Sequence, residues 1–525
     1  MKTLLKWIPL LAVMLSCTQR GLEPERTDSV DLSGIGHDMI ELGEKLADPY
    51  SVENMELAVR SLYPERASRL DLRPTDVYVR FLPESDEEYD RLEALGLNLF
   101  DHPLDHRIIR EGDYYHDPEI ADGRITWQYA VVPAGFVFPT GIRLEILDQC
   151  YIAENDPATR TSDIDWAAVE RESFRLSGNA DLLAPLTRGD EGPHAPSGRI
   201  TILDEEAHNG VPAGLSGVKV YVNSFVKFAS AYTDDEGCYE MSTSFVGDVR
   251  YRLVFRNRRG FSIGVNLLLV PASVSTLGKH SSEGIDFTVD KDSDWKLFTR
   301  CAVNNIAAAY YDRCQAEGDV SAPPANLRIW IFRNLGSSST PMLQQGVLVE
   351  SGRLGEFLGE YSTLVKMFLP DITLGLKYCH DYASICSETV HELSHASHFM
   401  RAGKEFWRNY ILYVLRSYVS SLGITYGTGL EENAGYCEVG EMWGYFFGNL
   451  LFRERYGRGT PAEGLSLWFY PQILMYLDDR GVDASKIFSV LGPDVVGRDE
   501  LQEALTDQYP EHYSVINQAF DRYRF

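Results

Sequence analysis

The chain has little positive charge, few cysteines and, past its first residues, no long apolar run. Its 525 residues carry 49 Lys and Arg against 77 Asp and Glu, a formal net charge of -28. Such a surface repels a polyphosphate partner unless a local basic patch draws it in. The run Arg256-Asn257-Arg258-Arg259 is short and reads as a solvated turn, so nucleic acid is excluded as a partner. Beyond Leu15 no segment is apolar for long enough to cross a bilayer as a helix. Internal repeats and low-complexity tracts are lacking too, which excludes solenoids and propellers. The eight cysteines show no metal-ribbon spacing. Cys301 and Cys314 share one helical pattern, which would hold them about 20 Å apart and forbid a bond between them. A disulfide framework is therefore not what organises the fold.

What is present is an ordinary folded composition, 44% hydrophobic and 24% charged. The length exceeds a single hydrophobic core and implies about two to four domains. The expected class is multidomain α+β. Residues 41–190 read as a mixed α/β domain: Asp76 to Leu82 alternates like a strand, Ser85 to Leu95 follows a helical period behind a Ser cap, and Thr126 to Val137 is strand-like again. Residues 181–197 look like a linker. From 198 to 290 short strands alternate with turn signals, as at Arg199 to Leu203, Val218 to Val222 and Tyr251 to Phe255. From 293 to 525 the chain is mainly helical. Trp295 to Ala316 is amphipathic, Leu327 to Phe332 reads as a strand, and Leu364 to Leu376 as an extended piece.

Two segments resemble known patterns outside any catalytic site. Met1 to Lys6 is a basic start, followed by the apolar run Trp7 to Leu15, and Met14-Leu15-Ser16-Cys17 resembles a bacterial lipobox. The resemblance implies a signal peptide at 1–17, lipidation of Cys17, a polar tether at 18–40 and anchorage in the bacterial cell envelope. Seven cysteines would then remain, an odd number that cannot all pair within the chain. Gly217-Val218-Lys219-Val220 with Thr233-Asp234-Asp235-Glu236-Gly237-Cys238-Tyr239 looks like the strand-turn-strand motif of the carboxypeptidase-regulatory-like β-sandwich. That fold carries no chemistry of its own.

The chemistry lies in His391-Glu392-Leu393-Ser394-His395. Asp381 can cap a helix that runs through Ile385, Thr389, Leu393 and Phe399 and stops at Gly403. On it His391 and His395 are one turn apart on one face, where both imidazoles can reach a single ion. Glu392 lies beside them, placed to hold a water and take its proton. The five residues resemble the zincin signature, which implies Zn2+ and a zincin-like domain. His398 continues the series but lies about 10 Å along the axis from His391, with no glycine between to break the helix. It reads as a supporting or surface residue.

Such sites need a third protein ligand. Tyr436 to Gly448 is apolar nearly all round, and Gly440, Gly444 and Gly448 form a stripe that lets another helix approach closely. Glu441 borders that stripe, and Glu441-Met442-Trp443-Gly444 resembles the gluzincin third-ligand turn. Glu438, Glu432 and Glu431 are the alternatives. Tyr426, Tyr436 and Tyr445 are candidates to stabilise an oxyanion, and the piece from Leu364 to Leu376 is placed like the substrate-aligning edge strand of that class. The resemblance implies a peptidase acting on a protein or peptide substrate, with Glu392 as general base. The competing expectation is a non-catalytic surface binding or assembly lipoprotein with a relict or structural metal site. Neither the substrate's identity nor the oligomeric state is legible here.

Overall fold

The computed structural model describes residues 39–67, 70–121, 124–161, 163–183, 192–264, 273–347, 370–420, 426–460 and 467–523. Cys17, the leader, all but the end of the tether and linker residues 184–191 fall outside them. The described chain is mixed α/β, with several sheets and a C-terminal helical region.

In the N-terminal part, Asp76–Leu82 is the centre of an antiparallel sheet, between Gln128–Pro133 and Arg143–Cys150. Its alternation sorts its side chains. Val79 and Phe81 pack on Leu92 of helix Asp86–Ala94, while Tyr78 faces a second core with Tyr129 and Tyr221. That helix starts where its cap requires, with Ser85 Oγ accepting from the Glu88 amide at 3.3 Å.

The next strands form two sheets. One has the order Val274–His280, Val249–Val254, Lys219–Ser224, Lys227–Tyr232; the other centres on Ser197–Ile202, between Cys238–Glu240 and Phe287–Val289. The Thr233 to Tyr239 turn carries the chain from the first sheet to the second. Buried Thr233 accepts from the Val218 amide at 3.0 Å, and Asp234 accepts from the Cys238 amide at 2.7 Å. Gly237 has φ +83°, and a Cβ there would lie 2.0 Å from the Ile200 carbonyl oxygen, so only glycine fits. Arg258 and Arg259 are tied to Asp235, and Arg259 also to Asp312. Lys227, 1% exposed, docks this region on the N-terminal part through Glu170 at 2.9 Å and Glu154 at 2.6 Å.

Ser262–Gly264 lies apart from these two sheets and pairs in parallel with Arg328–Phe332, which pairs in parallel with Ile372–Gly375. All three strands are buried along their length. That explains why Leu327 to Phe332 reads as an apolar run and not as an alternation. One hydrophobic core runs without interruption from Ile200 in strand Ser197–Ile202 to Phe520 in the last described helix. Helix Trp295–Glu317 is its spine. Asp294 caps it on the Lys296 and Leu297 amides, and Gly318 ends it at φ +65°. Every residue from Leu297 to Asn304 is buried, so the amphipathic pattern expected there holds only in its last turns.

Candidate metal centre

Helix Tyr382–Ser420 begins at the Asp381 cap, whose carboxylate accepts from the Ser384 amide at 2.7 Å. It is broken at Gly403, with φ +82° and ψ 175°, a backbone that glycine alone adopts readily. The first half carries the histidines; the second folds back, so that Trp407 packs on both His395 and His398. Helix Ala434–Tyr456 crosses the first half along its glycine stripe. A Cβ on Gly444 would sit 2.5 Å from His395 Cε1 and 3.0 Å from His391 Cε1; one on Gly448 would sit 3.1 Å from the His391 Cα. Glycine at these positions is therefore what lets the imidazoles lie against the helix that bears Glu441.

His391, His395 and Glu441 come together. Their Nε2 atoms are 3.1 Å apart, and each is 3.6 Å from Oε2 of Glu441. The point in their common plane equidistant from these three atoms lies about 2.0 Å from each, close enough for a metal–nitrogen or metal–oxygen bond. The donor set, two imidazoles and one carboxylate, suits a divalent transition-metal ion. His391 is 4% exposed, His395 and Glu441 0%. Oε2 of Glu441 has no hydrogen-bond donor among the described residues, and burying a carboxylate oxygen so is costly unless a cation compensates it. The group can hold a metal ion. Burial alone would raise the Glu441 carboxyl, but the imidazoles of His395 and His391 reverse this and hold it down at about 2.

Two residues that the sequence did not single out complete the arrangement. Tyr410, on the returning half of the broken helix, donates to Oε1 of Glu441 at 2.5 Å, turning the other oxygen to the histidines. Thr340, on the loop after Arg328–Phe332, donates to Oε2 of Glu392 at 2.6 Å, and Trp407 Nε1 holds the Thr340 carbonyl at 2.6 Å. Glu392 is fully buried, and its Oε1 has no partner among the described residues. Burial pushes its carboxyl up to about 8, against the opposing pull of His391 and Thr340. No motif announces either partner; only the contacts reveal them.

The other candidates are placed elsewhere. Glu438 is held by Arg498, whose Nε donates to it at 2.7 Å. Glu431 accepts from the Thr428 amide, and Glu432 is exposed. His398 is fully buried, not at the surface: its ring lies 4.9 Å from Phe406, and burial pushes its pKa down to about 3. Of the three tyrosines, Tyr445 packs tilted against His391 with centroids 4.5 Å and ring planes 60° apart, and its hydroxyl lies 3.5 Å from that of Tyr426. Tyr436 packs on Phe406 instead. The extended piece at Leu364 to Leu376 reduces to strand Ile372–Gly375, its first six residues lying outside the described ones. Its outer side is already paired: Ser339 and Thr373 exchange both backbone bonds, at 2.9 and 2.8 Å.

No family profile matches the chain, and neither a curated protein nor a solved structure matches it. The reading of the site rests on its own geometry.

Proposed function

We propose that this chain is a zinc-dependent peptidase of the gluzincin-like class, anchored in the bacterial cell envelope through a lipid on Cys17. The observation that carries the activity is the convergence of two imidazole nitrogens and one carboxylate oxygen within 3.1–3.6 Å of one another, with a second carboxylate beside them, that of Glu392, whose Oε1 has no partner among the described residues. The anchor rests on the Met14 to Cys17 pattern alone.

In this reading His391, His395 and Glu441 hold the ion. When bound, it supplies Lewis acidity, lowering the pKa of a water and polarising a carbonyl. Glu392 orients that water through Oε1, accepts its proton and passes it to the leaving amine. Thr340 keeps Oε2 engaged, which fixes the carboxylate's rotation. Tyr445, whose ring contacts that of His391, would offer its hydroxyl to the carbonyl oxygen. Complete burial of Glu392, His395 and Glu441 supports a second reading, a structural metal site in a non-catalytic envelope protein.

Metal analysis and peptide cleavage by the purified chain separate the two. The peptidase reading expects one zinc per chain, lost in His391→Ala and retained in Glu392→Gln, with cleavage abolished in both. Zinc without cleavage of a broad peptide library favours the structural site. A metal-free protein after growth in zinc-replete medium overturns both.

A further inference from the structure

A second buried polar cluster lies outside the metal site. Arg252, in strand Val249–Val254, and Arg300, in helix Trp295–Glu317, are 3% and 0% exposed. Both line a cavity of about 60 Å³, whose wall also includes Phe100, His102 and Asp113 from the N-terminal part and Tyr221 from the sandwich.

Part of the guanidinium capacity is spent on fixed partners. Arg300 Nη1 donates to Asp113 Oδ2 at 2.7 Å, Ser275 Oγ at 2.6 Å and the Val274 carbonyl at 2.9 Å. Arg252 Nη1 lies 3.0 Å from His102 Nε2, and His102 Nδ1 lies 2.7 Å from Asp101 Oδ1. One tautomer satisfies that relay: neutral His102 donates to the carboxylate through Nδ1 and accepts from the guanidinium at Nε2. Asp101 Oδ2 also accepts from the Tyr115 amide. Both aspartates therefore already have donors.

Three nitrogens are left over. Nη2 of Arg252 and Nε and Nη2 of Arg300 are buried with no hydrogen-bond partner among the described residues. An unmet donor on a buried cation is costly, and two such cations border one cavity. The cavity has room for several water-sized spheres, at about 10–15 Å³ each, and hence for a sulfate, phosphate or acetate. Guanidinium forks match oxyanions in plane and charge.

We propose that this cavity binds a small oxyanion, whose oxygens take the orphan N–H groups of Arg252 and Arg300. The anion then joins three parts of the chain, since its site is built from the N-terminal part, the sandwich and the core helix.

The test titrates inorganic phosphate, sulfate and acetate into the full-length chain, with chloride holding the ionic strength constant. Thermal unfolding and calorimetric heats are both read. The expected result is a saturable rise in unfolding temperature with a matching heat, weakened roughly tenfold or more in Arg252→Gln, the weight of one charge-assisted hydrogen bond. A response to phosphate and sulfate alone assigns a tetrahedral anion; a response to acetate assigns a carboxylate. Should Arg252→Gln fail to fold, anomalous density for selenate between the two guanidiniums of the unaltered chain decides. Absence of a heat, a linear salt effect shared with chloride, or density for water alone overturns the proposal.

Discussion

Tyr410 donates to one oxygen of Glu441 at 2.5 Å, while the other oxygen lies 3.6 Å from the Nε2 atoms of both His391 and His395. The phenol thus sets the carboxylate's rotation from behind. Removing it in Tyr410→Phe leaves Oε1 buried without a donor and frees the group to turn. Zinc affinity, measured by competition with a chromophoric chelator, should fall about 10- to 100-fold, the usual effect of losing a partner behind a ligand. An unchanged affinity would show that packing alone orients Glu441.

Gly444→Ala places a methyl group 2.5 Å from His395 Cε1 and 2.8 Å from its Nε2. One imidazole must move, or the two helices must part. Metal content should drop below one per chain, with a stability loss of about 1–3 kcal/mol by chemical denaturation. Full zinc occupancy at unaltered stability would contradict the packing described.

Thr340→Val removes the hydroxyl that engages Glu392 and preserves the shape of the side chain. If Glu392 is the general base, kcat for peptide cleavage should fall roughly tenfold or more while zinc content and KM stay near their original values. A loss of zinc in this variant would instead mark Thr340 as a support of the metal ligands.

Burial raises the Asp48 carboxyl to about 7, despite its bond from the Tyr50 amide at 2.9 Å. In the unfolded chain the same group titrates near pH 4. The fold favours the protonated form, so the stabilising contribution is complete below about pH 4 and is lost as pH rises towards 7. Asp48→Asn keeps the acceptor for Tyr50 and cannot ionise. The difference in unfolding free energy between variant and parent should grow in the variant's favour across that window, by roughly 1–4 kcal/mol. Parallel curves would show that Asp48 is charged in the folded protein.

Much of this site could be read along the chain because its main determinants are local. The Asp381 cap, the i,i+4 histidines, the stop at Gly403 and the Gly440-Gly444-Gly448 stripe are each set by helical period or backbone freedom. So are the strand at Asp76–Leu82 and the glycine turn at Gly237. Thr340 and Tyr410 escaped because their partners are 52 and 31 residues away and no repeat links a hydroxyl to a distant carboxylate. Of the two places open to His398, a supporting one and the surface, the surface was ruled out only by the fold, for a related reason. The aromatic rings that bury it belong to Phe406 and Trp407, and they arrive only once Gly403 has turned the chain back on itself. The outer side of Ile372–Gly375 is taken by Ser339, in a bridge too short to leave an alternating pattern.

The parallel pairing of Ser262–Gly264 with Arg328–Phe332 bears on how this protein can be taken apart. A β-sandwich joined to an enzyme by a linker can be cut away, crystallised alone or exchanged by recombination, with both pieces intact. Here the strand-rich region contributes Ser262–Gly264 to the sheet of the residues that follow it, so scission near residue 290 would bare a buried, apolar strand edge and invite aggregation. Because the core is continuous as well, the two parts should unfold in a single calorimetric transition.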